Sequence, residues 1–191
     1  MLDLLFYLEI GFFHVLDWNA YDHLLFLMAL TIPFSFKQFK TVFWIVTFFT
    51  LGHSVSLFFS AYGIYSPPEK IIELLIPTTI VITGINNIYK SNSTVSYNLS
   101  SFTISLLFGL IHGFGFGRYF KMIATEGEVI LGLLEFALGV EFAQILIVIF
   151  VLLINWLAIG LLKIQNQKWQ WVIAAMILSQ AILMTTRNWP F

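Results

Sequence analysis

The sequence predicts an all-α fold, a polytopic transmembrane helical bundle of six or seven spans forming one integral domain over residues 1–191. Three observations predict it. The chain is 59% hydrophobic and only 10% charged, with a mean hydropathy of +0.90, whereas soluble domains carry about 25% charged residues. Its apolar residues gather into runs of membrane-spanning length. The polar stretches between those runs are too short to fold alone.

A spanning helix needs roughly 20 apolar residues. Taken in order, residues 2–16 are apolar but short and interrupted by Glu9 and His14, so this stretch is a possible additional short span. Residues 20–36, 41–61, 70–89, 99–121 and 129–160 meet the length requirement, and 169–186 is shorter but uncharged until Arg187. Continuous runs such as Ile145–Leu153 lack the alternation of an outer-membrane barrel strand.

The connections are Lys37–Lys40, Tyr65–Glu69, Ser91–Thr94, Thr125–Glu128 and Lys163–Lys168. Lys37, Lys40, Lys90, Lys163 and Lys168 fall on one side of the bundle, and Lys70, Arg118, Lys121 and Arg187 on the other. Five against four does not set an orientation by the positive-inside rule. The start Met1-Leu2-Asp3 has no positive region and is followed by Glu9, so no cleaved signal peptide is expected. Cysteine is absent and net charge is −1, which removes disulfides and thiolate ligands and gives no pointer to nucleic acid. The expected partner at this point is the lipid bilayer. Oligomeric state is not legible.

An ionisable group near the bilayer centre costs about 2.5–3.5 kcal/mol on insertion scales and faces a bundle interior or cavity. All four histidines, His14, His23, His53 and His112, lie in or beside the apolar segments, none in the loops. His14 and Asp17 share a face if their stretch is helical. Asp22 precedes His23 at the opening of the next apolar run, where a cap is the competing role. His53 follows Gly52 and precedes Ser54, and His112 lies between Gly109 and Gly113, a spacing that lets another helix approach closely. Glu141 and Gln144 share a face, to which Asn155 returns. Glu73 and Asn87 are about 20 Å apart along one helix and cannot share a site. Each position has a structural reading of its own, as a core histidine or a neutral buried carboxyl. Jointly they point to a shared polar centre whose N and O donors suit nickel, cobalt or zinc.

The segments Gly11-Phe-Phe-His14-Val-Leu-Asp17, Tyr21-Asp22-His23-Leu-Leu-Phe, Phe49-Thr-Leu-Gly-His53-Ser54, Leu110-Ile-His112-Gly113-Phe-Gly115-Phe and Leu138-Gly139-Val-Glu141-Phe-Ala-Gln144 together resemble the HupE/UreJ membrane proteins. The resemblance runs from about residue 6 to 150; the last span carries no matching signature. That family is associated with hydrogenase and urease gene clusters, and its members are regarded as nickel or cobalt permeases. The resemblance implies that His14, Asp22 and His23 handle the metal, joined by His53, His112 and Glu141. The chain departs from it in having no histidine-rich loop.

Two chemistries remain open. In the first, the chain is a permease for a divalent transition metal, nickel or cobalt before zinc, and the ion is cargo at the His/carboxylate site. In the second, three histidines hold a zinc ion in an intramembrane hydrolase acting on a lipid-like substrate. Asp22 or Glu141 is then the general base, and Ser54 binds the water or oxyanion. A third reading is a structural or accessory membrane protein whose polar residues only pack helices.

Overall fold

The computed structural model describes residues 5–91, 99–125 and 127–189. Met1-Leu2-Asp3, most of the expected turn Ser91–Thr94, and Glu126 of the Thr125–Glu128 connection lie outside them. The described residues form seven α-helices: α1 (Phe6–Val15), α2 (Asp22–Thr31), α3 (Phe39–Ala61), α4 (Glu69–Lys90), α5 (Leu99–Ile123), α6 (Val129–Asn155) and α7 (Asn166–Arg187). Five of these, α3 to α7, are long and apolar enough to cross a membrane. The protein is an integral membrane protein.

The expected full span over 20–36 is not one helix. α2 holds ten residues, as does α1, so each is about 15 Å long, half of a ~30 Å hydrocarbon core. Between α1 and α2 the Asp17 carboxylate accepts hydrogen bonds from the Asn19 backbone N–H (2.8 Å) and side-chain amide (3.2 Å), a local turn that competes with helix. At the other end, α2 stops before Pro33 and a Ser35–Gln38 capping box leads into α3.

Contacts along the neighbours show that α1 and α2 make one crossing in tandem. The Tyr7 hydroxyl of α1 donates to the Ile123 carbonyl (3.0 Å), at the end where α5 stops. Gly11 meets Phe136 further along α6. Beyond the C-terminus of α2, the carbonyls of Ile32 and Phe34 accept from the Asn155 amide at the far end of α6, both at 3.1 Å. The broken helix therefore runs parallel to α6 and across the whole bundle. Counted this way the described residues make six crossings, alternating in direction, with the break at mid-depth. Exposed Tyr62, Tyr65, Tyr119 and Trp189 ring one end, and Tyr89, Trp156 and Trp171 the other, as interfacial aromatics do.

Close pairing rests on glycine. In α3 and α5, a Cβ on Gly52 would overlap the Leu106 carbonyl, and one on Gly109 the Phe49 carbonyl. In α1 and α6, a Cβ on Gly139 would overlap the Leu8 carbonyl, and one on Gly11 the Phe136 carbonyl. Backbones this close gain dispersion contacts that larger residues prevent. The gap between the two pairs holds the site.

Candidate metal centre

His14 closes the last turn of α1, His23 opens α2, His53 sits in α3 and His112 in α5. The break between α1 and α2 aims His14 and His23 inward from two helix ends, while the glycine contacts bring α3 and α5 together behind them. Ring centroids of His14 and His23 are 4.7 Å apart, those of His23 and His53 5.7 Å, and those of His14 and His53 5.8 Å. These three rings can each present a nitrogen such that the three lie within 4.8 Å of one another. His112 lies 5.2 Å from His23, outside that group of three.

The rings are walled by phenylalanine. Phe116 lies 4.1 Å from His14, Phe136 stacks on His53 at 5.9 Å and 14°, and Phe26 and Phe49 each lie 5.1 Å from His112. His23, His53 and His112 are 1–2% exposed. Among the described residues six buried side-chain polar atoms lack a hydrogen-bond partner, and four of them are the Nε2 atoms of the four histidines. An unsatisfied buried polar atom costs about 1–3 kcal/mol, so three such rings with nitrogens within 4.8 Å of one another, and a fourth beside His23, are an arrangement that a ligand would relieve.

Two of the rings are oriented from behind. Asp22 accepts from His23 Nδ1 at 3.0 Å and also from its backbone N–H at 2.7 Å. His112 Nδ1 donates to the Phe108 carbonyl at 2.9 Å. A carboxylate or carbonyl oxygen only accepts, so Nδ1 carries the proton in both rings and Nε2 presents its lone pair. This is the tautomer a metal ligand needs. The expected Asp22 cap is thus directed at its own neighbour and at the imidazole.

The remaining candidates lie elsewhere. The Glu141 carboxylate accepts from Thr47 Oγ1 at 2.6 Å and Thr50 Oγ1 at 2.5 Å. It lines a lipid-facing groove of about 880 Å³ between α3 and α6, a turn or more beyond the Phe136 that touches the histidines. Ser54 donates to the Thr50 carbonyl at 2.8 Å and lines the same groove. Of the trio named for a hydrolase, Ser54 and Glu141 line this groove, whereas Asp22 is hydrogen-bonded to His23. Gln144 accepts from Thr50 at 2.9 Å, whereas Asn155 leaves that face to fasten α2 and accept from Trp169 Nε1 at 2.9 Å. Asn87, not singled out for a role by the sequence, donates to the Ala29 carbonyl at 2.6 Å and pins α2 against α4. The phenylalanine walls were also missed; their only signal was the frequency of Phe beside each histidine.

The family described as HupE / UreJ protein matches residues 2–189, nearly the whole chain. The chain belongs to the HupE/UreJ family. No curated protein and no solved structure matches it. Family membership extends over α7, where no signature was legible, and is associated with nickel or cobalt transport or accessory function.

Proposed function

We propose that this HupE/UreJ protein is a permease for a divalent transition metal, nickel or cobalt, in the cytoplasmic membrane of a bacterium. His14, His23 and His53 hold the ion in transit, and Asp22 and His112 act around them. The observation that carries the reading is the convergence of unpartnered imidazole nitrogens from three separate segments at the middle of the bundle.

The donor chemistry fits the cargo. Imidazole suits nickel, cobalt and zinc better than magnesium or calcium, which take oxygen ligands. Neutral rings supply no charge, so among the described residues Asp22 gives the only full negative charge hydrogen-bonded to the group. A divalent ion there is incompletely neutralised and held loosely, which permeation requires and storage does not. Phenylalanine walls exclude water, so the ion gives up hydration only where nitrogen can replace it.

The test is uptake of ⁶³Ni²⁺ into proteoliposomes. Parent protein should accumulate nickel, and His23→Ala and His53→Ala should reduce uptake to the level of empty liposomes. Uptake by both variants at the parental rate would sink the reading. So would nickel retained by the parent without any movement across the bilayer.

A further inference from the structure

The two close helix pairs are the same construction used twice. In α1, Leu8, Gly11 and His14 stand in the same register as Leu106, Gly109 and His112 in α5. In α6, Phe136-Ala-Leu-Gly139 matches Phe49-Thr-Leu-Gly52 in α3. The contacts match one for one: Gly11 on the Phe136 carbonyl corresponds to Gly109 on the Phe49 carbonyl. Likewise Gly139 on the Leu8 carbonyl and Phe12 amide corresponds to Gly52 on the Leu106 carbonyl and Leu110 amide.

Chain order and direction extend the match. The tandem α1/α2, α3 and α4 are crossings one to three; α5, α6 and α7 are four to six. Crossing one packs on five, and four packs on two. Crossings three and six pack on each other, antiparallel, with Trp171 donating to the Ile88 carbonyl at one end and Asn188 to the Glu73 carbonyl at the other. Crossing one runs opposite to crossing four. The chain is therefore two three-crossing halves of inverted orientation, related by a pseudo-two-fold axis that lies in the membrane plane and passes through the histidine cluster. Substrate sites of inverted-repeat transporters lie at such a midplane interface.

Under this relation His14 and His112 are equivalent, yet they are not used alike. His14 completes the group of three with His23 and His53, while His112 stands beside His23 with its Nε2 buried and unpartnered. Two cavities bracket His112 along α5. One, about 380 Å³, opens among Ser66, Glu69 and Tyr119 at one face and ends at Phe114 and Gly115; the other, about 300 Å³, opens among Lys90 and Ser101 at the opposite face and ends at Phe108.

We propose that His14 and His112 are alternate arms of one cation site: His23 and His53 hold the ion throughout, with His14 in the conformation seen here and His112 in the oppositely facing one. This inference rests on the permease reading. It makes the protein an alternating-access carrier rather than a pore, and it assigns the unpartnered His112 nitrogen to the second state.

The experiment measures Ni²⁺ affinity in detergent and ⁶³Ni²⁺ uptake in proteoliposomes for His14→Ala, His112→Ala and the double variant. Each single variant keeps one binding state, so its affinity should fall by no more than about tenfold. Removing both arms should cost a hundredfold or more, on the order of losing a ligand, and each single variant should lose uptake because one facing state no longer binds. A double variant that binds as well as either single one would overturn the proposal, as would His112→Ala transporting at the parental rate. Variants that do not elute as the parent does are replaced by His14→Gln or His112→Gln. His23→Ala separates the two levels: unchanged binding and uptake there defeats the permease reading itself. The chain has no native cysteine, so Tyr119→Cys and Thr83→Cys report the two cavities. An impermeant maleimide should reach each from its own face only, and Ni²⁺ should change their labelling rates in opposite directions. Parallel changes would contradict exchange between two facing states.

Discussion

Asp22→Asn isolates the electrostatic support of the site from its ligands. The native carboxylate accepts from His23 Nδ1 at 3.0 Å and from the His23 backbone N–H at 2.7 Å. Asparagine has nearly the same shape but no charge, and its amide can turn a donor toward Nδ1. A ring that accepts at Nδ1 carries its proton on Nε2 and cannot coordinate there. Loss of such an outer partner costs about 10–100-fold in metal affinity, or about 1.4–2.7 kcal/mol. Calorimetric titration of detergent-purified protein with Ni²⁺ measures this directly, with thermal unfolding as the control for fold. The backbone contact keeps α2 starting in place, so unfolding should shift little. An affinity within twofold of the parent would refute the claim that Asp22 sets the His23 tautomer. A loss as large as in His23→Ala would instead make Asp22 a ligand.

Glu141→Gln should leave Ni²⁺ affinity within about twofold, because its oxygens face Thr47 and Thr50 rather than the histidines; a loss of tenfold would restore it to the site. Thr50→Val removes the shared donor to Glu141 and Gln144 and should cost about 1–3 kcal/mol of stability, recovered by Thr50→Ser, as read from thermal unfolding in detergent. Gly52→Val and Gly139→Val each drive side-chain atoms into a facing carbonyl. Each should cost about 1–3 kcal/mol or more, with similar falls in melting temperature if the two helix pairs are equivalent. Asn155→Leu unfastens α2 from α6 and strands the Trp169 N–H; Ni²⁺ affinity should fall along with stability, since α2 carries His23.

The membrane fold was legible because lipid imposes long apolar segments, and α3 to α7 follow the runs that composition picks out. That 2–16 and 20–36 are two halves of one crossing was harder to see. Hydropathy continues through residues 20–36, whereas α2 stops at Thr31, before Pro33, and its end is held by the Asn155 amide reaching from a distant helix. The gathering of histidines was legible as a joint skew, since four ionisable groups in apolar segments need a common interior. Which of them meet was not, because His14 reaches the others only through the pairing of α1 with α6. What Glu141 touches was not legible for a related reason: its hydroxyl partners lie on α3, and nothing local to Glu141 announces them. The matches between the inverted halves, Leu-x-x-Gly-x-x-His and Phe-x-Leu-Gly, are patterns too short to stand out until the glycine contacts align them.

The central claim is that the imidazoles of His14, His23 and His53 hold a divalent transition metal at mid-bundle. Anomalous diffraction at the nickel absorption edge, on crystals grown with Ni²⁺, tests it most directly. The expected result is one strong peak within about 2.0–2.3 Å of a nitrogen from each of these rings. A nickel peak only on surface groups, with the three histidines hydrogen-bonded to water or to protein, would contradict it.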